Sequence, residues 1–151
     1  PSRLGSRARG AASTPNARFG TGACEIRPRM HDRVLGNGFT YDVRIGFHEY
    51  ERHIRQRIVI DFEAETDWRE AALADRARGI VDYYEANLKI GALIQGKEYR
   101  LIEAVAEEVA RLLITDFPVE RVRVRVTKAP FDMPNVGSVA VECLRSRADF
   151  T

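Results

Sequence analysis

From Arg121 to Lys128 the chain reads Arg-Val-Arg-Val-Arg-Val-Thr-Lys, and this strict alternation constrains the fold more than any other stretch. Successive side chains of a strand point to opposite faces, so Val122, Val124 and Val126 share one face and Arg121, Arg123 and Arg125 the other. A strand of this kind needs a sheet with one packed face and one solvated face, which is the antiparallel arrangement.

The remaining pattern supplies its neighbours. Gln56 to Glu65 alternates in the same way, with Ile58, Ile60, Phe62 and Ala64 on one face. Val34-Leu35 and Phe39 to Phe47 read as one strand interrupted by a bulge or turn at Gly36-Asn37-Gly38. The polar segment Phe47 to Arg55 is expected to be a hairpin-like loop. A connection from Thr66 to Gly79 includes a short helix at Trp68 to Ala74. Val81 to Ile94 reads as a helix, with Gly91, Gln95-Gly96 and Lys97 marking its end. Leu101, Ile102, Val105, Ala106, Val109, Leu112 and Leu113 form the buried stripe of a second helix over Arg100 to Ile114, stopped by Phe117-Pro118. A Pro-containing loop, Ala129 to Gly137, leads to a last strand at Ser138 to Arg145. The order is ββααββ, an α+β fold with a four-stranded antiparallel sheet and two helices on one face. Its edge strands carry no obvious blunting device, which argues for self-association by sheet extension.

The 151 residues suit one domain. Residues 1–30 hold six Arg and one acid, for a charge of +5, whereas the rest of the chain carries −3. We read 1–30 as a basic extension without apolar periodicity, expected to be disordered. Its readings, in order, are a solvated tail or a start upstream of Met30, an Arg-rich organelle-targeting segment, and a nucleic-acid-binding arm. The domain spans 31–147, with 148–151 as a C-terminal tail. Cys24 and Cys143 fit a reducing, cytoplasmic compartment. No run approaches the roughly 18 apolar residues of a spanning helix, so no membrane partner is expected. His31, His48 and His53 form no paired ligand spacing, so no metal site is expected. No Gly-rich phosphate loop follows a strand.

Four residues carry possible chemistry. Lys128 ends a strand beside Ala129-Pro130, where partial desolvation would favour the neutral amine and proton exchange. Glu103 lies in the first turn of the second helix, where the helix dipole favours an acid. Its carboxylate also matches the donor edge of a 2-aminopyrimidinone ring. Tyr83 alone reads as a half-buried helix aromatic, and Glu51 alone as a solvated loop acid.

Taken in order, Ile45-Gly46, Glu51-Arg52, Gln56, Asp75, Val81-Asp82-Tyr83, Leu101-Ile102-Glu103, Ala106 and Val124-Arg125-Val126-Thr127-Lys128 resemble the dihydroneopterin aldolase family of folate biosynthesis. The likeness covers roughly residues 32–145. It implies the tunnelling fold, with subunits joining their sheets into a ring barrel, usually four per ring with two rings stacked into an octamer. It also implies active sites between neighbouring subunits and a retro-aldol cleavage of dihydroneopterin without cofactor. By the resemblance, Lys128 is the proton donor and acceptor, and Tyr83 contacts the substrate and helps proton movement. Glu103 with the backbone of Ile102 anchors the pterin, and Glu51 is the loop acid that closes the site.

The chain departs from the family's pattern beside the lysine. Ala129 stands between Lys128 and Pro130, Asn135 replaces a usual Gly after the second Pro, and the loop is about one residue short. Ile45 stands where a His is often found. These changes bear on substrate preference more than on the fold. Two alternatives remain from the sequence: the sister 2'-epimerase acting on dihydroneopterin or its triphosphate, and a non-catalytic α+β module binding nucleic acid. The latter would use the basic tail and the Arg-rich strand, and ranks lowest because the match at Tyr83, Glu103 and Lys128 would then be coincidental.

Overall fold

A computed structural model describes residues 32–151; the basic extension at 1–30 and His31 lie outside them. β1 (Asp32–Ile45) pairs antiparallel with β2 (Gln56–Thr66), and the register shifts between Gly36 and Phe39, which is the expected bulge. The loop between them carries a 3-10 turn at Glu49–His53. After β2 come the short α1 (Arg69–Ala74) and α2 (Tyr83–Gln95). The two-residue β3 (Glu98–Tyr99) follows, then α3 (Ile102–Asp116), β4 (Arg121–Lys128) and β5 (Val139–Ser146). The sheet order is β3-β1-β2-β4-β5.

The α+β layout matches the sequence reading, with one correction: the sheet has five strands, not four. β3 runs parallel to β1, pairing Arg44 with Glu98 and Ile45 with Tyr99. Two residues are too few to show a period of two, so the strand leaves no mark in the hydrophobic pattern. It is pinned instead by Glu108, which accepts from Tyr99 Oη at 2.5 Å and from Lys97 Nζ at 2.6 Å.

The inward face of the sheet and the two long helices form the core. Ile58, Ile60, Val122, Val124 and Val126 are fully buried against Ile90 and Ile94 of α2 and Val105, Val109 and Leu113 of α3. Each such side chain contributes roughly 1.5–3 kcal/mol through burial. On the outward face, Arg125 Nη2 pairs with Glu142 at 2.9 Å, Arg123 with Glu142 at 3.7 Å and Arg121 with Glu65 at 3.9 Å. These exposed pairs add little stability, but they occupy the arginines.

Helix boundaries differ from the expected ones for local reasons. α2 starts at Tyr83, because the Asp82 side chain accepts from the amides of Tyr84 and Glu85 at 3.0 and 3.1 Å and caps the helix. Gly91 does not end α2; it is buried inside it, where a Cβ would lie 3.3 Å from the Tyr41 ring. The helix thus uses Gly91 to approach β1. At the C-terminus, Arg147–Phe150 form a 3-10 turn. Arg147 donates to the Val119 carbonyl at 2.8 Å, and Phe150 packs beside Arg111. Among the described residues no helix is long and apolar enough to cross a membrane.

Candidate functional site

The alternation of β4 places Lys128 in phase with Val122, Val124 and Val126, so its side chain belongs to the inward face. It sits at the end of the strand, opposite Ile58 of β2 and Val139 of β5. Only 8% of Lys128 is exposed. A buried ammonium needs a partner, and Glu51 provides it: Lys128 Nζ donates to Glu51 Oε1 at 2.9 Å. Glu51 is 5% exposed, which corrects its reading as a solvated loop acid. Its other oxygen, Oε2, accepts from the His48 amide at 3.0 Å. Burial alone would raise the Glu51 carboxyl's pKa; the hydrogen bonds from Lys128 and His48 outweigh it and hold the pKa below the ordinary value.

Two neighbours make this geometry possible. Gly46 lies under Glu51, where a Cβ would overlap the Glu51 side chain and come within 2.6 Å of its carboxyl carbon. Gln56 braces the loop from below, donating from Nε2 to the carbonyls of Ile45 at 2.6 Å and Glu51 at 3.2 Å. Its Oε1 is buried without a hydrogen-bond partner among the described residues. Gln56 is a polar residue in phase with Ile58 and Ile60, and that break in the alternation is the signal that could have singled it out from the sequence.

The ion pair faces a cleft of about 270 Å³, lined also by His48, Ile102, Glu103 and Asp132. Ile102 and Glu103 are the first residues of α3, whose N-cap, Leu101, offers no side-chain cap. The first-turn amides and the positive end of the helix dipole therefore lie at the cleft wall. Glu103 is exposed and makes no hydrogen bond or ion pair among the described residues. A flat heterocycle with adjacent N–H donors and a carbonyl acceptor would satisfy both Glu103 and the nearby amides. A second depression, of about 230 Å³, lies on the outward sheet face, but its Arg123 and Arg125 are already paired with Glu142.

Glu51, Ile102, Glu103 and Lys128 thus converge within one chain. Tyr83 does not join them: it is 68% exposed at the start of α2 and does not line the cleft. Sequence reasoning missed the hydrogen bond from Tyr50 Oη to Asp132 Oδ2 at 2.7 Å, for which no local pattern exists.

The family model for dihydroneopterin aldolase (FolB) matches residues 36–144. The dihydroneopterin aldolase of Haemophilus influenzae is 32% identical over 117 residues, covering 76% of this chain and 99% of the relative. That of Methylorubrum extorquens is 30% identical over 122 residues, covering 80% of this chain and 94% of the relative. The solved structure of Escherichia coli dihydroneopterin aldolase in complex with neopterin superposes with a TM-score of 0.71 at 30% identity, covering 76% of this chain and 99% of that one. Matched over most of its patterned length and in its three-dimensional fold, the chain belongs to the dihydroneopterin aldolase family.

Proposed function

We propose that the protein cleaves 7,8-dihydroneopterin by a retro-aldol reaction, releasing glycolaldehyde and 6-hydroxymethyl-7,8-dihydropterin, as a cytoplasmic step of folate biosynthesis. A base takes the proton of the second side-chain hydroxyl, and the bond between the first and second side-chain carbons breaks. The electron pair moves into the ring imine to give an enamine, whose side-chain carbon then takes a proton and restores the imine. The ring is its own electron sink, so the reaction requires neither a lysine Schiff base nor a metal. The protein supplies placement and proton transfer.

Lys128 exchanges the protons, and Glu51 holds its amine and closes that side of the cleft. Glu103 and the Ile102 backbone grip the pyrimidinone edge. Tyr83 reaches the substrate from a neighbouring copy, in a ring of four subunits that stacks into an octamer. The observation carrying this reading is the buried Lys128–Glu51 pair facing an unpartnered Glu103 across one cleft. The Escherichia coli relative's neopterin complex supports a pterin as the ligand class.

The test is incubation of purified protein with dihydroneopterin and, separately, its triphosphate, with products separated by chromatography. Equal amounts of glycolaldehyde and hydroxymethyl-dihydropterin are expected. Epimer from the triphosphate without glycolaldehyde would overturn the aldolase reading in favour of a 2'-epimerase.

A further inference from the structure

The two halves of the catalytic pair sit on segments that are joined at their base by the pairing of Lys128 with Ile58 and by Gln56 beneath Glu51. Glu51 is carried by the 3-10 turn Glu49–His53, and Lys128 runs directly into the loop 129–138. Within that loop the backbone hydrogen bonds are local, from Met133 to the Pro130 carbonyl at 3.5 Å and from Val136 to the Met133 carbonyl at 2.9 Å. Among the described residues its side chains make a single hydrogen bond outside the loop, and that bond goes to Tyr50. Tyr50 Oη donates to Asp132 Oδ2 at 2.7 Å, across 82 positions of sequence.

The half-exposed ring of Tyr50 has an aromatic neighbour on each segment. It stacks on His48, with centroids 5.3 Å apart and planes 6° from parallel, and meets Phe131 edge-on at 6.3 Å. His48 is the residue whose amide holds the second oxygen of Glu51. The aromatic stack and the carboxylate's anchor are therefore parts of one turn.

We propose that Tyr50 and Asp132 are positioning residues, whose hydrogen bond latches the turn bearing Glu51 to the loop leaving Lys128 and so holds carboxylate on amine. Neither group performs the proton transfer. The latch compensates for a loop with few anchors of its own. Asp132 alone would repel Glu51, and the Tyr50 hydroxyl turns that carboxylate toward itself. Its hydrogen bond to Asp132 also pushes the Tyr50 hydroxyl's pKa up, so it remains a proton donor.

The chain's three lysines, Lys89, Lys97 and Lys128, make the latch measurable without substrate. The protein is treated with an amine-reactive N-hydroxysuccinimide ester, and labelling at each lysine is followed by peptide mass spectrometry. Tyr50→Phe keeps both aromatic contacts and loses only the donor. Asp132→Ala loses the acceptor, whereas Asp132→Asn keeps one. In Tyr50→Phe and Asp132→Ala, labelling of Lys128 relative to Lys89 should rise, and kcat for dihydroneopterin should fall, each about tenfold, as suits the loss of one net hydrogen bond. The double variant should be no worse than either single one. Asp132→Asn should retain most of the wild-type behaviour, and neopterin affinity should stay within about twofold throughout, because the ring anchor is untouched.

Unchanged Lys128 labelling overturns the latch whatever the activity. So does multiplicative loss in the double variant, or increased labelling with wild-type kcat. The kcat arm rests on the aldolase reading. If the wild-type protein cleaves no dihydroneopterin, that reading falls, and the labelling arm still decides the latch.

Discussion

Lys128 Nζ and Glu51 Oε1 meet at 2.9 Å although 77 positions separate the two residues, and both are almost wholly buried. A buried charge pair is costly to assemble and costlier to break, since removing one partner strands the other. Its place in the lining of a cleft, rather than in the core, supports the proposed role in proton exchange.

Lys128→Ala should abolish turnover, by about 10²–10⁴-fold or more, because it removes the group proposed to exchange protons. Neopterin affinity should change little, since Glu103 and the α3 amides remain. Stability should fall by about 3–5 kcal/mol, from the unpaired Glu51 left behind. Steady-state kinetics, a neopterin titration and a thermal melt together check this. A loss of affinity as large as the loss of kcat would show that the lysine anchors rather than reacts.

Glu103→Ala should act in the opposite way. Its side chain is exposed and unpartnered, so the fold should be unaffected, with Tm close to wild type. Neopterin binding should weaken by about 10- to 100-fold, because a pair of ring donors loses its acceptor. Titration by fluorescence reads the effect directly.

Acid stability should report the ion pair. The carboxyl of Glu51 is held below its ordinary value of 4.5, and unfolding releases it. Its contribution is thus present above the unfolded value and lost as pH falls through the folded one. Wild-type Tm should drop on acidification below about pH 4.5, and Glu51→Gln should have a lower Tm near neutrality with a shallower acid decline. Parallel Tm–pH curves for the two proteins would contradict the assignment.

Gly46→Ala should cost activity at a distance from the reacting amine. The new methyl occupies the space of the Glu51 side chain, so the carboxylate must leave Lys128. A kcat loss of about tenfold or more is expected, together with a lower Tm. Activity equal to wild type would mean that the turn relaxes freely.

Mixing should reveal whether Tyr83 serves a neighbour's site. Tyr83→Phe and Lys128→Ala are each expected to be inactive or nearly so as pure assemblies. Dissociated and reassembled together, they should regain activity, because a site with Lys128 from one copy can receive Tyr83 from another. No recovery after verified co-assembly would place the two groups in the same chain's site or remove Tyr83 from the reaction.

The legible parts of the molecule were those governed by periodicity. The alternation in β2 and β4 and the apolar stripe of α3 set the sheet, its packed face and the helix layer. The same phase that buries Val122, Val124 and Val126 also sends Lys128 inward, so the lysine's desolvation was readable from its own strand. Glu103 was likewise placed by its position in the first turn of α3. β3 was invisible because two residues carry no period.

What tertiary structure alone decided is the fate of the loop His48-Glu49-Tyr50-Glu51, which has no apolar pattern to mark it as anything but surface. Glu51 is buried because an ammonium from a strand 77 residues away is there to meet it. Tyr50 finds its partners because Asp132 and Phe131 come from another distant loop. Local periodicity reports which side of an element meets the core. The partner of a charge depends on which ends of which elements the fold brings together, and only the assembled sheet specifies that.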